Sequence, residues 1–315
     1  MKLWSTETGA HLKTFELPRD PIIFEKFLAL PSKNHFTFMN KKGRVSVFDP
    51  NISDRFLMQL ELEGPVRSIC YTPDETSLAI YTRESHLYFQ DLSTSKIQAA
   101  STSFRTRGEI SLMAISPDNE LLAVGCKPRA IATFFGPGPT HPHTAVVEVY
   151  GMNIDPGSIM RTLQHVRSEP FAITEIVWSK DQRHVITITQ TQSLPSQSFC
   201  CLWGDSIGNA DNLWEQDLGG GSAGFDNTES TCIIVALDRE IRLIDRSTLQ
   251  LVVAIPLNIS DPGIQRVLGH HGLVMTSFHG GLVVHEPSAA RKSSHSGASP
   301  PLPRAYRENI FQNGE

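Results

Sequence analysis

The sequence predicts an all-β protein made of repeated units of short strands. Two observations predict it: an apolar strand ending recurs along the chain, and turn residues recur in step with that ending. Four of the six intervals between successive endings are about 40–45 residues long, and the other two are longer and contain insertions. The chain has 315 residues, of which 40% are hydrophobic and 19% charged, enough for one large core.

The first marker is the end of a short apolar strand, followed by a polar turn. Lys2-Leu3-Trp4 is the first example, and its turn runs to Gly9. In each case an apolar residue lies directly before the last residue of the strand, and Asp49, Asp91 and Asp245 follow three of the endings. The positions that match are Trp4, Phe48, Gln90, Tyr150, Trp203, Ile244 and His285.

The second marker is a turn between two apolar strands. Its clearest forms are Thr72-Pro73-Asp74, Ser116-Pro117-Asp118 and Ser179-Lys180-Asp181, where Pro presets the backbone and Asp accepts a hydrogen bond from it. The strands predicted before such turns are Phe27–Leu30, Ser68–Tyr71, Leu112–Ile115 and Glu175–Trp178. The strands predicted after them are Leu78–Tyr81, Leu121–Val124, Val185–Ile188 and Cys232–Val235.

With these two markers in one register, residues 1–287 resemble WD40-repeat β-propellers. The resemblance implies a propeller of six full blades with an N-terminal partial repeat. The repeats are degenerate, because no Trp-Asp pair ends a repeat and the usual Gly-His occurs at most once, as Gly269-His270. We therefore expect apolar packing, rather than the family's Asp–His–Ser/Thr–Trp hydrogen-bond network, to hold the blades.

The number of blades has two solutions. There are seven strand endings but only six innermost strands, which begin near residues 26, 67, 111, 174, 222 and 265. In one solution, His11–Leu17 lies beside Gly281–His285 and closes a six-bladed ring, which leaves Lys2–Trp4 surplus. In the other, the parent protein has seven blades and begins upstream, so that this chain forms an incomplete ring.

Two segments are candidates for partner binding. The insertion at residues 127–144 carries Arg129, Phe134 and Phe135 beside a Gly/Pro run, and it either hooks a partner or folds onto its own blade. Residues 288–315 are rich in Ser and Pro, and we expect them to be disordered. Within them, Pro300 and Pro303 have the spacing that polyproline-binding grooves recognise.

Motifs for chemistry are weak. Gly204-Asp205-Ser206-Ile207-Gly208 matches the nucleophile elbow of hydrolases, but a loop-like segment follows it where an elbow requires a helix. A second match at Gly220–Gly224 favours plain turns, and we expect that Gly-rich stretch to be a flexible linker into the next blade. His141 and His143 lack a Cys or carboxylate nearby to complete a metal site. The sequence therefore predicts no catalytic set, metal or cofactor.

The net charge and the cysteines restrict the kinds of partner and the cellular compartment. The net charge of −5 and the absence of a Lys/Arg block argue against nucleic-acid binding, and no apolar run is long enough to span a membrane. The five cysteines form no Cys-x-x-Cys pair and fall in predicted strands, which favours the cytoplasm or nucleus. They are Cys70, Cys126, Cys200, Cys201 and Cys232.

We therefore expect a non-catalytic scaffold that binds other proteins. The main alternative is the C-terminal sensor or regulatory propeller of a larger multidomain signalling protein. A propeller hydrolase that uses Ser206 is the least favoured reading.

Overall fold

The computed structural model consists of antiparallel β-sheets joined by turns, and the residues it describes contain no helix. No helix in this part of the chain is therefore available to cross a membrane. The described residues are 2–4, 11–14, 24–30, 35–40, 44–48, 56–60, 62, 65–84, 86–99, 106, 108–130, 143–152, 158–193, 195–204, 208–209, 212–219, 221–225, 232–237, 240–256, 266–270, 273–278 and 281–285.

The first compact unit, unit 1, comprises Met1–Val124 and Tyr150–Ser158. Within it, β3 to β6 form one four-stranded antiparallel sheet and β7 to β10 form another, each in chain order. The strands that begin here are β1 (Lys2–Trp4), β2 (His11–Thr14), β3 (Phe24–Leu30), β4 (His35–Asn40), β5 (Val45–Phe48), β6 (Phe56–Leu60), β7 (Val66–Tyr71), β8 (Ser77–Thr82), β9 (Leu87–Asp91), β10 (Ile97–Ala99), β11 (Ile110–Ile115) and β12 (Leu121–Cys126).

The second compact unit, unit 2, comprises Gly125–Val149 and Ile159–Glu315. Its sheets have the orders β16-β17-β18-β20, β21-β22-β23-β24 and β25-β26-β27, while β13 pairs with β14, and β19 pairs in parallel with β15. The strands are β13 (Arg129–Ala130), β14 (His143–Gly151), β15 (Ile159–Arg167), β16 (Phe171–Trp178), β17 (Val185–Thr191), β18 (Ser198–Trp203), β19 (Gly208–Asn209), β20 (Asn212–Gly219), β21 (Ser222–Phe225), β22 (Cys232–Ala236), β23 (Glu240–Asp245), β24 (Leu251–Pro256), β25 (Arg266–His270), β26 (Leu273–Phe278) and β27 (Gly281–His285).

The strand predictions are confirmed. The six predicted innermost strands correspond to β3, β7, β11, β16, β21 and β25, and each begins within three residues of the predicted position. All seven predicted endings lie in strands, and so do all five cysteines. In unit 1 the first strand of each sheet contacts the first strand of the next, as β3 does with β7 and β7 with β11; in unit 2, β16 contacts β21 and β21 contacts β25.

The predicted turns form with a shared hydrogen-bond pattern. In the β11–β12 turn, the Ser116 hydroxyl oxygen accepts the Leu121 N–H at 2.8 Å, and Asp118 accepts both the Ser116 hydroxyl at 2.5 Å and the Glu120 N–H at 3.0 Å. Asn119 has a φ of 64°, which Asn tolerates better than most residues. The hydroxyl-to-N–H bond five residues along the chain recurs in the turns Thr72–Ser77 and Ser179–His184.

The first two strands differ from one prediction. One of the two solutions placed His11–Leu17 beside Gly281–His285; the described part of this segment, β2, pairs with β1, with Lys2 opposite Thr14. Lys2–Trp4 is therefore a paired strand and not a surplus one. A hairpin between strands so close in sequence has a small loop-closure cost, which favours this local pairing.

The Gly-rich stretch is also tighter than expected. We predicted a linker here, but residues 222–224 belong to the buried strand β21, and the backbone at Gly221 is closely packed. Gly219 adopts a φ of 60°, and the Gly221 N–H donates to the Leu218 carbonyl at 2.9 Å. A Cβ added at Gly221 would lie 1.9 Å from the Ala236 carbonyl oxygen, so this turn requires glycine.

One core cluster of unit 2 lies between neighbouring sheets. Ile186 and Leu202 from the β16–β20 sheet pack in one buried cluster with Phe225, Ile233 and Val235 from the β21–β24 sheet. Burial of each such side chain stabilises the fold by about 1.5–3 kcal/mol. At the rim of these sheets, Arg246 donates to both carboxylate oxygens of Asp181, at 3.0 and 2.6 Å, and joins a turn of one sheet to a turn of the next.

Candidate functional site

Several predicted site residues lie outside the described part of the chain. Arg129 begins β13 and pairs in register with Thr144, so the insertion starts as a short strand. Trp4, Phe48, Tyr150 and Trp203 lie in strands, as expected for repeat endings. The residues outside the described ranges are Asp49, Phe134, Phe135, His141, Ser206, Pro300 and Pro303.

Two aspartates that follow strand endings close turns. The Asp91 carboxylate accepts the backbone N–H groups of Ser93 and Thr94 at 2.7 and 2.8 Å, and the Ser93 hydroxyl at 2.6 Å. The hydroxyl bond contributes most, and together these bonds lower the pKa of Asp91 to about 2. Asp245 forms the equivalent turn with Ser247 and Thr248, and its pKa is likewise lowered to about 2. Each carboxylate therefore stabilises the turn between the third and fourth strands of its sheet.

A buried hydrogen-bond chain lies between β15 and the β16–β20 sheet. The Trp203 Nε1–H donates to Thr187 Oγ1 at 2.7 Å, and Thr187 Oγ1 lies 3.0 Å from His165 Nε2. The Thr187 oxygen accepts from Trp203, and its hydroxyl either donates to His165 Nε2 or accepts from it, according to the tautomer of the imidazole. The His165 ring also packs edge-on against Trp203, with centroids 5.0 Å apart.

The hydrogen-bond chain continues from His165 toward the surface through a cysteine. His165 Nδ1 lies 3.8 Å from Cys201 Sγ, and the Cys201 thiol donates to Glu215 Oε2 at 3.4 Å. Arg167 forms an ion pair with Glu215 at 3.1 Å and lies over the Phe199 ring at 4.6 Å from its centroid. Four strands, β15, β17, β18 and β20, supply these side chains.

This arrangement adds a polar contact between sheets where the sequence predicted mainly apolar packing. A His–Thr–Trp chain, with three of the four residue types in the network that the resemblance implies, links β15 to the β16–β20 sheet. Sequence reasoning missed it because His165 lies within a strand and not in a Gly-His pair. A signal was available in the sequence. Thr187 pairs with Cys201, two positions before Trp203, and a histidine lies in the strand that precedes the sheet.

The same surroundings oppose ionisation of the cysteine thiols and protonation of the imidazole. Burial raises the pKa of Cys201 to about 12, and the Glu215 carboxylate adds to this effect. Burial likewise raises the pKa of Cys200. Burial lowers the pKa of His165 to about 3, helped by the Arg167 charge, so the ring is neutral. A thiol that stays protonated is a poor nucleophile, so this cluster is suited to holding sheets together.

We expect His165 to make stability depend on pH. In the unfolded chain it protonates near its ordinary pKa of 6.5, whereas in the folded protein it does so only near 3. The unfolded state thus binds more protons between these values, and stability falls as the pH drops below about 7. The loss should be about 2 kcal/mol between pH 7.5 and 5.

Urea unfolding at several pH values measures this effect, and a His165→Gln variant should show a flatter profile. The ring proton shifts of His165 give an independent reading in the native protein. Protonation of that ring at pH 5.5 in the folded state would contradict the assignment.

The described surroundings of Ser206 lack the hydrolase elbow's geometry. A strand, β18, ends at Trp203 as the elbow requires. The described residues that follow, β19 and β20, are strands, whereas the elbow needs a helix. No group of three or more His, Cys, Asp or Glu side chains in the described ranges is placed to hold a metal ion.

The exposed large apolar side chains of the described residues share one location. Each lies on the last strand before the chain enters the next sheet, namely β10, β15, β20 or β24. Apolar groups exposed at such edges are candidate contact points for other proteins. They are Ile97, Ile159, Val166, Leu213, Leu251 and Val252.

Comparisons with known proteins support the fold and leave the chemistry open. No protein-family model and no curated protein match this sequence. Among solved structures, the chain is similar to a chain of hydrazine synthase from Kuenenia stuttgartiensis, with a TM-score of 0.59 and 10% identity over 90% of this chain and 88% of that chain. At 10% identity this likeness concerns the course of the backbone alone.

Proposed function

We propose that this chain is a non-catalytic protein–protein interaction scaffold built as a WD40-like β-propeller. The observation that carries the proposal is the placement of exposed large apolar side chains on the last strand of successive sheets. A rigid stack of sheets that presents such side chains at its edges binds by a few apolar anchors. Six full blades with a partial N-terminal repeat, and a cytoplasmic or nuclear setting, belong to the same proposal.

The chemistry of the buried cluster supports this reading over an enzyme. Cys201 and His165 are the described pair that most resembles a nucleophile and its base. The high pKa of the thiol and the low pKa of the imidazole both oppose that role. The Phe134–Phe135 hook remains part of the proposal as a second contact point.

Affinity purification with mass spectrometry tests the proposal. The full chain serves as bait beside a rim variant (Val166→Ser, Leu213→Ser), a hook variant (Phe134→Ser, Phe135→Ser) and a control with exposed polar changes (Gln164→Ser, Asp217→Ser). We expect the wild type and control to recover the same partners and the rim variant to lose at least one. Equal recovery by all four baits would contradict binding through these surfaces.

An esterase assay on the same preparations addresses the enzyme reading. We expect hydrolysis of p-nitrophenyl acetate to be equal for the wild type and a Ser206→Ala variant. If only the Ser206→Ala variant loses activity, the protein is a hydrolase and the proposed scaffold function is wrong.

A further inference from the structure

Strand β24 is an edge strand without a single polar side chain. It reads Leu-Val-Val-Ala-Ile-Pro and is the outermost strand of the β21–β24 sheet. None of its residues is buried, and the side chains of Leu251 and Val252 are 56% and 43% exposed. Among the described residues, no strand pairs with the outer edge of β24, so this edge presents backbone N–H and C=O groups beside an apolar surface.

Other edges whose side chains the structure describes are protected. Strand β20 carries Glu215 and Asp217, and β10 is only three residues long. The edge of β15 is covered by β19, which pairs with Arg161 and Thr162. Charge, shortness and a covering strand are the usual means of blocking further pairing. In β24 the only such device is Pro256 at its end, where the missing N–H stops pairing.

We propose that β24 binds an extended, uncharged segment of a partner protein, which adds to the sheet as a fifth strand. Unit 2 already contains a short segment added to the edge of a sheet, since β19 pairs with β15. Main-chain hydrogen bonds to Leu251–Ile255 hold the segment, and its alternate side chains cover the exposed apolar ones. This inference rests on the proposed scaffold function and names the partner's chemistry.

The electrostatics of the edge select an uncharged segment. Strand β24 has no charged side chain. A charged side chain of the partner that packs against it would therefore be desolvated without forming an ion pair. On the neighbouring strand β23, Glu240 and Arg242 already form an ion pair with each other at 2.5 Å, and the Asp245 carboxylate accepts hydrogen bonds from Ser247 and Thr248. A segment rich in β-branched residues suits this pleated, apolar edge.

The size of the edge favours a peptide segment over a second folded copy. Six residues of strand span about 20 Å, and a sheet is about 10 Å thick, so edge-to-edge pairing covers on the order of 400 Å² in total. Stable complexes between folded proteins bury about 1,200–2,000 Å². An extended segment contacts only the strand, so the turns around β24 do not obstruct its approach as they would obstruct a second folded copy.

A labelled peptide tests the inference on the full chain. The probe has a core of six alternating Val and Thr residues with two lysines at each end, and its control has proline at the third and fifth core positions. Fluorescence anisotropy should show saturable binding of the probe and none of the proline peptide. Hydrogen exchange of the backbone amides in Leu251–Ile255 should slow at least tenfold when the probe is bound.

Protein variants locate the binding. The double variant Val252→Lys, Ala254→Lys should bind the probe at least tenfold more weakly, whereas Gln98→Lys, an exposed change on the edge strand β10, should bind within twofold of the wild type. Absence of saturable binding, or equal weakening in both variants, overturns the inference. So does concentration-dependent dimerisation that the β24 variant abolishes, because the occupant is then a second copy. The two proposals can fail separately. If the probe does not bind but the rim variant still recovers fewer partners than the wild type, the scaffold function stands and only this inference is wrong.

Discussion

Replacing Thr187 by Val should lower the free energy of unfolding by about 2–6 kcal/mol. The Thr187 hydroxyl is the shared partner of the Trp203 indole N–H and of His165 Nε2, at 2.7 and 3.0 Å. Valine keeps the shape of the side chain but leaves both groups buried without a partner. Each buried group that loses its hydrogen bond costs about 1–3 kcal/mol.

The neighbouring Thr189 provides a matched control. It lies two residues along β17 on the same face, and both threonines are fully buried. No hydrogen-bond partner for Thr189 Oγ1 lies among the residues that the structure describes. Thr189→Val should therefore leave stability unchanged or raise it by about 1 kcal/mol. Urea unfolding followed by tryptophan fluorescence measures both, and equal losses would show that the hydroxyl bond itself is unimportant.

Replacing Gly221 by Ala should destabilise the protein by about 3 kcal/mol. The added Cβ would lie 1.9 Å from the Ala236 carbonyl oxygen and 3.0 Å from the Leu218 carbonyl oxygen. Both atoms belong to the backbone, so β21 would have to move away from β22. Overpacking of this kind costs typically about 1–3 kcal/mol, and a backbone obstacle places the cost at the upper end.

Gly204→Ala is the control for this change. There the added Cβ would meet only the Leu213 side chain, at 3.2 Å, and that side chain is half exposed and can shift. We expect a loss below about 1 kcal/mol, as for most substitutions without a backbone clash. Thermal unfolding of the two variants measures the difference. A melting temperature for Gly221→Ala equal to that for Gly204→Ala would contradict the packing described at this turn.

The strands could be predicted because their signals are local. The turn at Ser116–Leu121 needs only residues within six positions of each other, and its hydroxyl and carboxylate bonds form as those residue types imply. The alternation of β17 predicts a strand for the same reason: successive side chains point to opposite faces. Turn chemistry and strand periodicity reinforce each other when they share one register.

The pairing of β1 with β2 could not be chosen from sequence alone. His11–Thr14 carries the pattern of an outer strand, and that pattern suits either an adjacent or a distant partner. Strand patterns encode which face is apolar, but they say little about which edge a strand joins. The tightness at Gly221 escaped prediction similarly, because the obstacle, Ala236, lies on another strand.

By itself, the sequence determined the all-β class, the positions of the strands and the turns between them, since these depend on neighbours in the chain. Only the tertiary structure decided that His165, Thr187, Cys201 and Trp203 meet in one buried chain. It also decided that β24 is an open apolar edge while β15 is covered by β19. The physical reason is that burial and hydrogen-bond partnership across strands depend on residues far apart in sequence, which no local pattern specifies.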